Sequence, residues 1–249
     1  MPKNRVALVT VLSLFSLIAS AGPARAQEGG PRPPRTITIA PERVFIPTGF
    51  DHNDNAQIVV DGSLPDTCHK LASASAWTDH ENRIVYVKVI ARIYAGTMCA
   101  EMTVPYTQTV DLGLLEPGKY KVVAETEEKP SAMGVLPVAM AKSADPDDYL
   151  YAPVHDVRVN LRKDGVANLI VSGTFTNSCM RLADIHVAII GDVIEVLPIM
   201  EIAGGKCMQI EREFSRSVEL ENVPAGRYLV HSRSLNGQSV NRVVDFWLN

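Results

Sequence analysis

The residues with the most suggestive chemistry lie together in Gly49-Phe50-Asp51-His52-Asn53-Asp54-Asn55. Asp51, Asn53 and Asn55 follow the Asp-x-Asn-x-Asn spacing with which alternate side-chain oxygens ligate calcium. The pattern then lapses, with Ala56 where such a loop needs glycine and Gly62 where it needs a bidentate glutamate. Asn and Asp also bond their own main chain in tight turns. Asp51, Asn53, Asp54 and Asn55 therefore stand as candidate binding residues in a polar turn, with no metal or cofactor assigned.

The six histidines form no His-Glu-x-x-His pair, and Asp79-His80-Glu81 and His155-Asp156 are sequence neighbours. Neighbours on a strand point to opposite faces, so neither group converges on one site. A nucleophile needs an adjacent base, and no Gly-x-Ser-x-Gly turn is present. No catalytic residue is assigned. Met98, Met102 and Met208 beside cysteines suggest a soft-metal site, but methionine next to a disulfide is ordinary core packing. Trp77 and Trp247 are assigned to the core too, although an aromatic on an exposed sheet binds carbohydrate.

The chain contains itself twice, and this organises the rest. Cys99, Tyr106, Val110, Leu112 and Pro117-Gly118-Lys119-Tyr120 recur 108 positions later as Cys207, Phe214, Val218, Leu220 and Ala225-Gly226-Arg227-Tyr228. Each copy owns two of the four cysteines, Cys68 with Cys99 and Cys179 with Cys207, which predicts one disulfide within each copy. The long separations argue against zinc, whose sites use Cys-x-x-Cys.

Lys3 and Arg5, the apolar run Val6 to Ala21 and Ala24-Arg25-Ala26 read as a signal peptide cleaved near Ala26. The run is short for a membrane span. Its removal takes three cations and no acid, moving the net charge from −4 to −7, which argues against nucleic acid and anionic membranes. The expected location is the periplasm or the exterior.

Residues 27–35, rich in Gly and Pro, form an expected leader. Thereafter strands come at short intervals. Ile37-Thr38-Ile39, Val44-Phe45-Ile46, Ile58-Val59-Val60 before a turn at Asp61-Gly62, Leu71 to Trp77 and Arg83 to Ile90 come first. Thr107 to Leu112 and Lys119 to Ala124 follow. Their β-branched content and turns predict an all-β architecture of antiparallel sandwiches. The 108-residue offset places Val243 to Leu248 on Val135 to Met140, making the latter a closing strand. The expected organisation is a first sandwich at 36–141, a linker at 142–151 and a second sandwich at 152–249. Asn236-Gly237 signals a hairpin before the last strand.

Gly62-x-Leu64-Pro65-x-x-Cys68, Cys99-Ala100-Glu101 and Leu115-x-Pro117-Gly118-x-Tyr120 resemble exported bacterial proteins with tandem, disulfide-containing immunoglobulin-like β-sandwich domains. The resemblance covers the first copy well, and the second by its cysteines and Gly226-Arg227-Tyr228. It implies fold and export and adds no site. The functional expectation is a non-catalytic binding or structural module of the envelope with a protein or glycan partner. The alternatives are a calcium- or carbohydrate-binding accessory protein using the Asp51 to Asn55 loop, and a periplasmic hydrolase with a site between the two sandwiches.

Overall fold

The structure is a computed structural model that describes residues 33–95, 98–144, 147–161 and 166–246. The signal-peptide reading, most of the leader and Trp247 lie outside the described residues. Strand is the predominant element of what is described. The first half contains β1 (Arg35–Ile39), β2 (Arg43–Phe45), β3 (Phe50–Asp51), β4 (Ala56–Leu64), β5 (His69–Asp79), β6 (Ile84–Ile93), β7 (Val104–Gly113), β8 (Gly118–Ala124) and β9 (Ser131–Ala139). The second contains β10 (Val154–Leu161), β11 (Ala167–Phe175), β12 (Met180–Ile190), β13 (Val193–Ile202), β14 (Arg212–Leu220), β15 (Gly226–Ser234) and β16 (Gln238–Phe246).

Each half is a pair of facing sheets. In the first, β2-β4-β7 faces the sheet β1-β6-β8-β9-β3, to which β5 is added along β6. In the second, β10-β11-β14 faces β12-β13-β15-β16. The inward side chains form two separate apolar clusters, one around Ile58, Val87, Tyr120 and Leu136 and the other around Leu169, Val196, Tyr228 and Val230. This is the period-two pattern expected of sandwich strands.

The sequence repeat is a repeat of register. Ile58 pairs with Val110 as Leu169 pairs with Val218, and Tyr120 with Leu136 as Tyr228 with Val244. One bulge interrupts β5 between Leu71 and Ser73, and the same bulge interrupts β12 between Leu182 and Asp184. Both predicted disulfides are present, Cys68–Cys99 and Cys179–Cys207. The sheets are mixed, however, because β6 runs parallel to β8, and β13 to β15, with Val85 opposite Val122 as Ile194 is opposite Val230. Strands that follow a crossover to the facing sheet can return parallel, and no local residue pattern announces it.

Two expectations are corrected here. Asp61-Gly62 is no turn, for β4 runs straight through it. Gly62 is needed because the Tyr106 ring passes over it, so that a Cβ would meet the phenol at 2.7 Å. Gly173, its counterpart, lies under Phe214 and against the Pro153 carbonyl, which an added Cβ would meet at 2.5 and 2.2 Å. The methionines are the second correction: Met98, Met102 and Met208 are exposed beside their disulfides, since these loops lie outside the sandwich cores.

Burial on both sides singles out two strands. Every residue of β4 except Ser63 is buried, as is β15 from Tyr228 onward. Of their repeat counterparts, β11 keeps a half-exposed face throughout and β8 exposes Lys119 and Lys121. The reason is that the outer face of β2-β4-β7 lies against the outer face of β13, β15 and β16, where Phe45, Val59, Val193 and Leu229 form an apolar cluster joining the halves.

Gly173→Ala is expected to lower stability by about 1–3 kcal/mol through overpacking. Gly204→Ala, where an added methyl meets nothing within 4 Å, is the matched control. Urea unfolding of both variants checks this.

Candidate functional site

The junction of the halves gathers most of the buried polar side chains. Arg227 donates to both oxygens of Asp61, at 2.7 and 3.0 Å, and to Asp245 at 2.7 Å. These bonds, Asp61 first, raise the Arg227 pKa and keep it charged. Arg233 donates to Asp54 at 2.8 Å and Asp147 at 2.9 Å while lying against the rings of Phe50 and Tyr151. Burial works against both charges, raising the Asp54 carboxyl, and the two carboxylates outweigh it at Arg233. Thr48 donates its N–H and hydroxyl to Glu195, at 2.7 and 2.5 Å.

A cavity of 130 Å³ opens here between Thr48, Tyr151, Glu195, His231 and Arg233, the place where a site between the sandwiches was expected. Asn241 turns its amide nitrogen to Thr109 and Ser239, both at 3.1 Å, and so offers its oxygen to His231 Nδ1 at 2.8 Å. That assigns the imidazole proton to Nδ1 and leaves Nε2 a buried lone pair with no partner among the described residues. Burial pushes the His231 pKa down to about 4. Of the ionisable groups around the cavity, Glu195, Asp54 and Arg233 make bonds that cross between the two halves.

The Asp51 to Asn55 turn borders this junction. Asp51 accepts from the Asn53 N–H at 3.3 Å, and its own N–H donates to Asp54 at 3.1 Å. Asn53 donates to the Ser143 carbonyl and Asn55 to Asp111, each at 3.3 Å. Asp54 turns one carboxylate oxygen to Arg233, while Asn53, Asp54 and Asn55 together line an open cavity of about 450 Å³ with Gln57 and Asp111. Among the described residues, one group of metal-ligating types converges, Asp66 with Cys68 and Cys99, and its two sulfurs are joined in a disulfide.

The other place of note is the outer face of β5, β6, β8 and β9. Trp77, expected in the core, is 53% exposed there. The bulge at Ala72 shifts the phase of β5, sending Ala74 and Ala76 inward and Ser73, Ser75 and Trp77 outward. Trp77 stacks on Tyr86 with ring centroids 4.2 Å apart and planes at 15°. Its Nε1 donates to Glu125 at 3.0 Å, and Glu125 pairs with Lys88 at 3.3 Å. The Trp77 bond lowers the Glu125 pKa. The indole is thus held upright with one face open.

Residues 58–131 match the model of the ORF11 beta-sandwich domain. The ORF11-like stretch runs from β4 to the start of β9, and it contains the first disulfide and most of the Trp77 face. Among curated proteins and among solved structures, nothing matches the chain. The second half is tied to the ORF11-like stretch by its register.

Asp61, Arg227, His231 and Arg233 were missed as a group by reading the sequence. A signal existed: His231-Ser232-Arg233-Ser234 continues a strand whose counterpart ends in Val123-Ala124, and polar residues in such a place imply a covering surface.

His231 makes a measurable contribution. Unfolded, it takes up a proton near 6.5, and folded near 4, so its stabilising effect is complete above about pH 6.5 and is lost as pH falls toward 4. At about 1.4 kcal/mol per unit, roughly 3 kcal/mol disappears. The His231→Gln variant is expected to lose less stability than the wild type over that window in denaturant titrations.

Proposed function

We propose that the chain is an exported, non-catalytic binding module of two immunoglobulin-like sandwiches, in which the second sandwich braces the first and the first presents its outer sheet face to a partner in the bacterial envelope. The two disulfides suit an oxidising compartment, and no helix among the described residues is long and apolar enough to cross a membrane.

One observation carries the reading. In the second half, the outer face of β13, β15 and β16 is a docking surface, since the first half is seated on it through Asp61–Arg227 and the Phe45–Leu229 cluster. Among the described residues nothing is seated on the equivalent face of the first half, where Trp77 is exposed over the buried Val123. Tyr86 stands where the second half has Glu195, Val123 where it has His231 and Glu125 where it has Arg233, as the matched registers place them. An ordered, half-exposed indole on an open docking face is the kind of anchor that dominates recognition.

Retention of the mature protein on immobilised cell-envelope fractions tests this. Trp77→Ala, which removes an exposed ring, is expected to leave the melting temperature within a few degrees and to weaken retention at least tenfold. Equal retention of the two proteins would reject the Trp77 face as the recognition surface.

A further inference from the structure

We infer that the outer face of β5, β6, β8 and β9 takes an acidic polysaccharide, a linear chain with a carboxylate on most of its sugars, laid along a stripe of cations with Trp77 at its middle. This deepens the reading of that face as the recognition surface and rests on it.

The first observation is a charge imbalance with an internal control. Strands β5, β6, β8 and β9 carry five Lys or Arg and a single acid, Asp79, whose carboxylate is engaged with Asn82 in the adjoining turn. The matching strands β12, β13, β15 and β16 carry four of each sign. A whole-chain charge of −4 conceals this, which is why composition argued against basic patches.

The second observation is where the cations stand. Lys70 and Arg92 face each other directly across β5 and β6. Like charges in that relation repel and destabilise a sheet. In the second half the same position holds Arg181 and Glu201, joined at 2.7 Å. Lys119 occupies the position of Arg227, which two carboxylates neutralise, and Lys121 that of the buried Leu229. Among the described residues, Lys70, Arg92, Lys119 and Lys121 belong to no ion pair, and Lys88 alone is matched, by Glu125. The first half thus keeps, on one face, charge that its own repeat shows how to cancel.

The third is shape. From Lys70 and Arg92 the stripe passes Lys88, then Trp77 and Tyr86, and crosses to Lys121 and Lys119 on β8, whose residue 121 is level with Ile84. At about 3.3 Å per residue this spans roughly 30 Å, the reach of an extended polymer. Fixed against Tyr86 and Glu125, Trp77 offers a flat ring to the C–H face of a sugar with little rotamer entropy left to lose.

Calorimetry with polygalacturonate as the probe decides the matter. The wild type is expected to bind, with affinity that falls steeply with added salt, and to ignore neutral dextran. Arg92→Glu recreates the second half's ion pair, so it should hold or raise the melting temperature while weakening binding about tenfold or more. Trp77→Ala should weaken it similarly. The assignment is overturned if Arg92→Glu binds as the wild type does, or if dextran binds equally. Equal or tighter binding of polyglutamate, of a single-stranded oligonucleotide or of phosphatidylglycerol vesicles overturns it too, by pointing to an acidic protein, a nucleic acid or a membrane. If Trp77→Ala loses envelope retention while polygalacturonate is inert toward every form, the recognition face stands and the acidic glycan falls. If Trp77→Ala changes neither, both fall.

Discussion

The contact between the outer faces of β2-β4-β7 and β13-β15-β16 governs the rest of the molecule. It buries β4 and β15 on both sides and takes Asp54, Asp61 and Arg233 nearly out of water. Buried charges are tolerated only when each finds a well-placed partner. Here the partners come from opposite halves, Asp61 with Arg227 and Asp54 with Arg233, so neither half alone satisfies its own groups. The apolar cluster of Phe45, Val59, Val193 and Leu229 supplies the driving force, and the ion pairs fix which way the faces meet.

The stretch after β9 is part of that contact. The sequence reads 142–151 as a linker, yet Asp147 bonds Arg233 and Tyr151 is buried against it. Tyr151 also makes a single bridge to Ile199 of β13, where β1 pairs with the same portion of β6 in the first half. The connection therefore replaces a whole strand with one bridge and one ion pair.

Much of the fold could be read because a repeated sequence calibrates itself. The 108-residue offset located β9 and matched each cysteine to its partner, and alternation located β5 and β6. Trp77 was misread because alternation gives two faces without naming the inner one, and the bulge at Ala72 exchanges them mid-strand. Asp61-Gly62 was misread because Asp and Gly are turn formers in isolation. What overrides that preference is distant in sequence: Arg227 for the aspartate, and the Tyr106 ring for the glycine. The outer cations were individually visible, but their common face requires the order of strands in the sheet, which no local pattern encodes.

The seating of one sandwich on the next is head-to-tail, and such contacts extend without limit unless something ends them. Position by position, the two open faces differ from the joined ones where it matters. Lys121 replaces Leu229 on one, and Arg158, which faces Ile170 as Phe45 faces Val59, replaces Phe45 on the other. A third sandwich docked in the same way would set an arginine against a lysine over a desolvated patch. The substitutions on the two open faces thus keep those faces from repeating, with each other, the contact that joins the halves.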